Sequence, residues 1–293
     1  MLEFNEQPDG RYLPGHGGDT SNTAVAAARQ GAKVGYVTHL GADAFGASFL
    51  KMWQGEGVDT STVRQVGDAH TGIYFVTHGE EGHEFTYFRE NSAASRMTPD
   101  DLPIEALQTA RVLHVSGISQ AISKTAAETV SAAIDVVKAA GGQVSYDTNL
   151  RLKLWPLEEA RAVMHDAVQR CDIVLPGFDD AVQLCGRSTA DGIADFYLEL
   201  GVEVVALTLG EKGTLVATPT TRQHIPAMPV KAVDATGAGD TFDGAFLARI
   251  VEGDNAFDAA RFANAAAALS VQGYGAVAPM PRRAEVEAFL AKG

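Results

Sequence analysis

The sequence predicts an α/β protein with a mostly parallel central sheet, helices on both faces, and a small additional β-sheet. From residue 112 onward, short apolar runs alternate with longer segments of helical periodicity. Apolar strands separated by helices are typical of a parallel sheet covered on both faces. Before residue 92, two segments of alternating polarity flank Gly79-Glu80-Glu81-Gly82, and this pattern predicts a β-hairpin.

Each predicted element follows from its apolar spacing. The predicted strands after the hairpin span residues 112–115, 143–147, 172–175 and 203–208, and the predicted helices span 124–140, 157–170, 178–185, 240–252, 256–271 and 282–291. The hairpin strands span 72–78 and 84–89, and residues 2–13 could pair with them. Ligands of such a sheet bind beyond the carboxyl ends of its strands.

The composition permits a full core and restricts the partners. The chain has 293 residues, of which 46% are hydrophobic, and its formal net charge is −14. That charge argues against nucleic acid or an anionic membrane as a partner. There is no apolar run of membrane-spanning length and no signal-peptide pattern at the start. Cys171 and Cys185 suggest buried thiols in a reducing cytoplasm.

A glycine-containing loop before a predicted helix forms a candidate catalytic centre. The small residues Gly237, Ala238 and Gly239 let backbone N–H groups approach a phosphate. We expect a side chain at Gly239 to crowd that phosphate or to force a disallowed backbone angle. The helix N-terminus favours negative charge, and Asp240 could take a proton from an attacking hydroxyl. The simpler alternative is a glycine turn capped by Asp240. Neither a Walker A motif nor a dinucleotide glycine pattern is present.

A second polar segment lies near the start of the chain. Gly17 and Gly18 would let a polyol approach the backbone, and Asp19 and Asn22 offer hydrogen bonds to its hydroxyl groups. The alternative is that Asp19 or a neighbouring hydroxyl residue caps the following helix.

Two arginines could meet on one substrate group. Alternation puts Tyr87 and Arg89 on one face of a hairpin strand, with Tyr74 on the partner strand. Arg151 follows the strand at 143–147, in the pattern Asp-x-Asn-x-Arg. Guanidinium groups bind carboxylates bidentately, so the pair predicts an anionic substrate. The alternative is that both arginines are solvated or form surface ion pairs.

Together these motifs resemble those of the ribokinase-type (PfkB) sugar kinases. The segment 234–241 resembles the C-terminal signature of that family, residues 15–24 and 41–46 its sugar-binding signature, and the hairpin its lid. Gly-Gly-Asp-Thr-x-Asn, Tyr-Phe-Arg, Ser-Gly-Ile at 116–118 and Asp-x-Asn-x-Arg are most similar to 2-keto-3-deoxygluconate kinases. The resemblance implies a kinase core at 14–68 and 93–293 and a lid at 1–13 and 69–92. It also implies a homo-oligomer, dimeric or larger, formed through the lid.

The resemblance further implies an ATP-dependent kinase acting on a sugar acid with Mg²⁺. Its expected sugar contacts are Gly17, Gly18, Asp19, Asn22, Tyr74, Tyr87, Arg89, Ile118, Arg151 and Asp240. Its expected ATP contacts are Asn149, Thr208, Gly210, Gly213, Ala235, Thr236, Gly237, Gly239 and Asn264. Asp180 would hold Mg²⁺ through water, although Gly177 stands where the family has asparagine. Some relatives bind a monovalent cation such as K⁺ at the positions of Asp234 and Gly275-Ala276.

Three points stay open from the sequence. The substrate could instead be a neutral sugar or a nucleoside, or the protein could bind a sugar without catalysis. The family begins with a buried apolar strand, and Met1-Leu2-Glu3-Phe4 follows its expected position. We therefore expect either a core one strand short or a start that lies upstream.

Overall fold

The computed structural model describes residues 1–7, 9–79 and 82–292. Its strands, in chain order, are β1 (Leu2–Glu6), β2 (Tyr12–His16), β3 (Thr38–Gly41), β4 (Val63–Val66), β5 (Ile73–Gly79), β6 (Gly82–Phe88), β7 (Val112–Ser116), β8 (Gln143–Asp147), β9 (Ile173–Leu175), β10 (Val204–Thr208), β11 (Thr214–Ala217) and β12 (Arg222–Ile225). Its α-helices are α1 (Asp19–Arg29), α2 (Ala44–Gly55), α3 (Ile104–Thr109), α4 (Gly117–Ala121), α5 (Lys124–Ala139), α6 (Leu157–Val168), α7 (Phe178–Cys185), α8 (Ala190–Glu199), α9 (Ala238–Glu252), α10 (Ala256–Ser270) and α11 (Arg283–Leu290).

The largest sheet has six strands in the order β12-β11-β10-β9-β8-β7. Strands β7 to β10 are parallel, which confirms the predicted α/β class. Strands β11 and β12 extend the sheet antiparallel to β10. The sheet is therefore mostly parallel, as predicted. Strand β11 runs antiparallel because residues 209–213 are too few for the crossover that a parallel strand requires.

Helices cover both faces of this sheet. Along β9, Val174 belongs to one core cluster, whereas Ile173 and Leu175 belong to the other, as the alternation of a strand requires. The first cluster packs against α5, α6, α7 and α8, and the second against α9, α10 and α11. No helix within the described residues is both long and apolar enough to cross a membrane.

A separate four-stranded sheet has the order β2-β1-β5-β6. Strand β1 pairs with β5 in parallel, and β5 and β6 form the predicted antiparallel hairpin. Of the predicted turn, Glu80 and Glu81 lie outside the described residues. Strand β2 continues to His16, past residue 13, where the sequence suggests that the lid ends. We call this four-stranded sheet the lid.

The lid has one apolar face and one polar face. Leu2 and Ile73 pack with Phe49 and Trp53 in a third core cluster. The opposite face carries Glu3, paired with Tyr74 on β5. Strands β3 and β4 form a parallel pair of their own, and β7 is an edge strand of the six-stranded sheet. Within the described residues that sheet has no counterpart of the family's early strand.

Helices α1 and α9 pack closely and begin at the same cleft. A Cβ atom on Gly244 of α9 would lie 2.5 Å from the carbonyl oxygen of Thr23 and 2.6 Å from the Cβ of Ala26 on α1. Only glycine permits this separation, because real Cβ contacts below 3.0 Å essentially do not occur. The contact brings the first turns of both helices together beside the carboxyl ends of the parallel strands.

Candidate active site

Asp240 lies in the first turn of α9 and is partly exposed in the cleft. Its Oδ2 accepts a hydrogen bond of 2.8 Å from Nδ2 of Asn22. Burial of the carboxylate and the charge of Asp19 raise the pKa of Asp240 to about 7, against the opposite influence of Asn22 and Arg151. A carboxylate with this pKa can accept a proton at neutral pH. The sequence suggests Asn22 as a sugar ligand, and the structure brings it against the candidate base.

The glycine loop precedes α9 as predicted. The position whose backbone conformation favours glycine, however, is Gly237 and not Gly239. Gly237 is the N-cap with φ of 74°, and a Cβ there would lie 3.1 Å from Ala276. Gly239 has an ordinary φ and no protein atom within 4 Å of its built Cβ. The expected backbone constraint at Gly239 is therefore wrong, and the left-handed residue that favours glycine is Gly237. The N–H of Ala238 donates to the carbonyl of Ala235 at 3.1 Å, so this amide is used within the loop.

Two further loops hold the glycine loop in place. The Asp234 carboxylate accepts from the Thr236 N–H and from the Gly275 N–H, each at 2.9 Å. Ala235 and Thr236 are exposed at the surface of this turn. Both Asp234 oxygens thus close the turn that leads into α9.

Asp19 begins α1 and faces the same cleft. Its Oδ2 accepts a hydrogen bond from the Ser116 hydroxyl at the end of β7. Gly18, with φ of 122°, is the N-cap, and no side chain caps the helix. The capping alternative for Asp19 is therefore wrong. Ile118 lies in the first turn of α4, two residues beyond Ser116.

The polar face of the lid carries a row of side chains. Glu3, Tyr74 and Tyr87 are neighbours across β1, β5 and β6. The Tyr74 hydroxyl donates to Oε2 of Glu3. A Cβ on Gly17 would lie 2.4 Å from the Tyr74 hydroxyl oxygen, so Gly17 leaves the space that Tyr74 occupies. Glu3 is not recognisable as a site residue from the sequence, because its contact with Tyr74 depends on the pairing of β1 with β5.

Arg89 is the side chain best suited to bind an anionic group of a substrate. Its guanidinium carbon lies 4.9 Å from the centre of the Tyr87 ring. Its Nε and Nη1 are buried and have no hydrogen-bond partner among the described residues. Burial lowers the pKa of Arg89, and the nearby charge of Arg151 acts in the same direction. The two arginines are therefore electrostatic neighbours, as the sequence predicts.

Arg151 is half-exposed and connects the cleft to α7. Its Nη1 donates to the Leu150 carbonyl at 2.8 Å and lies 3.9 Å from Oδ2 of Asp180. The same Asp180 oxygen accepts from the Leu150 N–H at 2.9 Å. Asp180, expected as a magnesium ligand, thus has a protein partner and fixes the chain beside Arg151.

A cavity of about 640 Å³ lies beyond the carboxyl ends of β9 and β10. It is lined by Gly177, Phe178, Asp179, Asp180, Ala190, Thr208, Leu209, Gly210 and Lys212. Thr208 and Gly210 therefore face a common space, as the resemblance implies. Lys212 is exposed and forms no ion pair within the described residues. The sequence analysis does not identify Lys212, because nothing in the Gly-Glu-Lys-Gly turn distinguishes it from a solvated lysine.

Other expected nucleotide contacts have roles inside the protein. Asn264 is buried, with Oδ1 accepting from Thr214 Oγ1 at 2.7 Å and Nδ2 donating to the Ile225 carbonyl at 3.1 Å. A Cβ on Gly213 would lie 2.1 Å from the Ile225 carbonyl oxygen, so the fold itself requires glycine there. Asn149 has a positive φ of 31°.

Two buried carboxyl groups lie behind Asp240. Asp147 and Asp243 are buried, and desolvation, together with surrounding carboxylates that include Asp240, raises the pKa of each well above its ordinary value. The N–H of Asn149 donates to Asp147 at 3.1 Å. Burial thus favours the protonated form of both groups. Within the described residues, no cluster of three or more His, Cys, Asp or Glu side chains could hold a metal ion.

Comparison with known proteins gives consistent matches. A family model described as pfkB family carbohydrate kinase matches residues 6–283. The 2-dehydro-3-deoxygluconokinase of Bacillus subtilis (strain 168) is 35% identical over 284 residues, covering 95% of this chain and 87% of that protein. Probable fructokinase-4 of Arabidopsis thaliana is 32% identical over 290 residues, covering 95% and 88%.

A solved structure matches the fold as well. The fructokinase of Vibrio cholerae O395, in a form with fructose, ADP and calcium ion bound, has a TM-score of 0.90 and 31% identity, covering 99% of this chain and 96% of that one. The family match includes the loop at 237–239 and Asp240.

Proposed function

This chain belongs to the pfkB family of carbohydrate kinases, and we propose that it transfers the γ-phosphoryl group of ATP to 2-keto-3-deoxygluconate. The acceptor is the primary hydroxyl, and the product is 2-keto-3-deoxy-6-phosphogluconate. The Bacillus subtilis relative, a 2-dehydro-3-deoxygluconokinase, supports this substrate. The observation that carries it is the buried guanidinium of Arg89, whose Nε and Nη1 have no partner in the described residues.

The two buried, unpaired nitrogens of Arg89 favour a ligand that accepts hydrogen bonds and carries a negative charge. Leaving buried donors unsatisfied costs about 1–3 kcal/mol, and more for a charged group. A substrate carboxylate would accept from the planar fork of Arg89, while Arg151 approaches the same cleft from the loop that follows β8. The nearby charge of Asp19 offsets part of the Arg89 charge, but a neutral sugar would bring no charged acceptor to Nε and Nη1 of Arg89.

The proposed chemistry depends on Asp240. Its carboxylate accepts the proton of the primary hydroxyl as that oxygen bonds to the γ-phosphorus. The bond from phosphorus to the ADP oxygen breaks on the opposite side, and the electron pair leaves with ADP. Free N–H groups at the start of α9 stabilise charge on the phosphoryl oxygens. Closure of the lid would exclude water, the competing acceptor.

The nucleotide would extend from the glycine loop into the cavity lined by Thr208, Gly210 and Lys212. Magnesium usually keeps several waters and binds through phosphates and one or two carboxylates, and Asp180, which lines this cavity, fits that limited demand. When bound, Mg²⁺ would neutralise phosphate charge. A monovalent cation such as K⁺ at the turn closed by Asp234 stays a prediction.

The cellular compartment and the oligomeric state of the enzyme are also proposals. Cys171 is buried and Cys185 half-buried, both as free thiols, which supports a reducing cytoplasm. The lid strands carry exposed apolar side chains at Tyr12, Leu13 and Phe88. Such side chains support a homo-oligomer formed through the lid, a state that light scattering would test.

A neutral sugar is the second candidate, because the Arabidopsis thaliana and Vibrio cholerae relatives are named fructokinases. The test is kcat/KM for 2-keto-3-deoxygluconate, fructose and ribose with ATP, read by ADP release. We expect the acid to be preferred and Arg89→Ala to remove about 10–100-fold of that preference. Arg64→Ala, at an exposed arginine paired with Asp101, is the matched control. A wild-type preference for fructose or ribose would refute the sugar-acid assignment. An absence of ADP release with every sugar would favour the non-catalytic alternative.

A further inference from the structure

We infer that Glu3 fixes the hydrogen-bonding direction of Tyr74, so that Tyr74 accepts a hydrogen bond from a substrate hydroxyl and disfavours a carbonyl or carboxylate at that place. Glu3 would thus be a positioning residue for sugar specificity. The inference rests on the proposed function only in requiring a sugar beneath the lid. It does not depend on which sugar that is.

The direction of the hydrogen bond follows from the chemistry of the two groups. An ionised carboxylate only accepts, whereas a phenol has one donor and its lone pairs. The Tyr74 hydroxyl donates to Oε2 of Glu3, which uses its one proton. Any other group that meets this oxygen must therefore be a donor. A sugar hydroxyl can donate, but a keto or carboxylate oxygen cannot.

The surroundings of Tyr74 place its hydroxyl where a sugar would lie. A Cβ on Gly17 would be 2.4 Å from the hydroxyl oxygen, and the Tyr87 ring centre is 5.8 Å from that of Tyr74. Burial, the charge of Glu3 and the charge of Asp240 raise the pKa of Tyr74. The phenol therefore keeps its proton at neutral pH, and its oxygen lies within electrostatic range of the candidate base.

The pairing of Glu3 with Tyr74 is built into the lid. Glu3 and Tyr74 are partners in the parallel β1–β5 ladder, and Tyr74 and Tyr87 are partners in the β5–β6 ladder. Paired residues share a face of a sheet. A substrate would then meet two kinds of site on this face. Arg89 would take an anionic group and Tyr74 a hydroxyl group, which gives the sugar one orientation toward Asp240.

The experiment compares Glu3→Gln, Tyr74→Phe and the double variant. Glutamine keeps the shape of Glu3 but adds a donor, so Tyr74 no longer has a fixed direction. Glu6→Gln is the matched control, because Glu6 lies on the same strand, three residues further along and therefore on the opposite face. We expect each single variant to lower kcat/KM about tenfold, mainly through KM, and the double variant to be no worse than Tyr74→Phe.

A set of analogues that each lack one hydroxyl group provides a readout that a merely structural role would not change. They are derived from whichever sugar the wild type phosphorylates best. In the wild type we expect one analogue to lose about tenfold in kcat/KM. That loss should disappear in Tyr74→Phe and become smaller in Glu3→Gln.

The inference would be overturned if the wild type and the variants lost the same factor in kcat/KM with each analogue. It would also be overturned if the losses in kcat/KM of the two single variants were additive in the double variant. If Glu3→Gln fails to fold, Tyr74→Phe still overturns the inference when it leaves the sensitivity to every analogue unchanged. A preference for fructose would refute the sugar-acid proposal and leave this test intact.

Discussion

The pH dependence of turnover should follow the ionisation of Asp240. Burial and the charge of Asp19 raise its pKa to about 7. A general base acts only when ionised, so kcat/KM should rise with pH through this value and then level off. The ionised fraction is about one tenth at one pH unit below the pKa, one half at the pKa and nine tenths at one unit above. We therefore expect kcat/KM at pH 6 to be about one tenth of its value at pH 8.

Asp19→Asn tests the cause of that shift. Removing the Asp19 charge removes a contribution that raises the pKa of Asp240, so the midpoint should move to lower pH. The sign is fixed, because a nearby negative charge disfavours a second carboxylate. The variant should then keep a larger fraction of its maximal kcat/KM at pH 6 than the wild type does. The amide oxygen that Asp19→Asn introduces would accept from Ser116 more weakly than a carboxylate does, which can lower the plateau, so the midpoint is the measurement that decides.

The assay is ADP release over pH 5.5–9 at several sugar concentrations. Asp100→Asn, at an exposed aspartate, is the control and should leave the midpoint unchanged. Asp240→Asn should lose about 10²–10⁴-fold in turnover. A midpoint that stays in place in Asp19→Asn, or an Asp240→Asn variant with a tenth of wild-type turnover, would refute the reasoning.

Three further expectations concern packing, burial and positioning. Gly244→Ala should destabilise the fold by about 1–3 kcal/mol in chemical denaturation, because α1 leaves no space for a methyl group; unchanged stability would contradict the close packing. Asp243→Asn should raise Tm, and by more at pH 8 than at pH 5. A carboxyl group whose pKa is raised in the folded state makes the protein less stable as the pH rises above the pKa of that group in the unfolded chain. An equal change in Tm at both pH values would argue against a buried neutral carboxyl group. Asp180→Ala should raise KM for the sugar acid about tenfold, because it removes the partner of the Leu150 N–H and of Arg151. The control is Asp179→Ala, at the exposed neighbouring residue, which should change that KM little. Equal changes in KM in the two variants would contradict the positioning role of Asp180.

The sequence predicts well what depends on neighbouring residues. The start of α9 after the glycine loop follows from small residues and apolar spacing within fifteen positions. The β5–β6 hairpin follows from alternation on two sides of one turn. The fold class and the family are confirmed, whereas the roles of the proposed site residues stay predictions.

What the sequence could not supply depends on pairing between distant segments. The hydrogen bond from Tyr74 to Glu3 joins residues 71 positions apart and exists only because β1 pairs with β5. The bond from the Leu150 N–H to Asp180 spans 30 positions and depends on how β8 lies beside β9. The sequence does not predict β11 and β12, because each has four residues and a run this short does not show a clear strand pattern.

The contact between α1 and α9 also governs when the enzyme becomes active during folding. Asn22 and Asp240 are 218 positions apart, so closing this loop is among the costlier entropic steps of folding. Helices and strand pairs between them can form without it. The candidate base acquires its neighbours only when the two distant segments dock through Gly244. Recovery of activity during refolding should therefore lag behind recovery of secondary structure, so that turnover reports on completion of the whole fold.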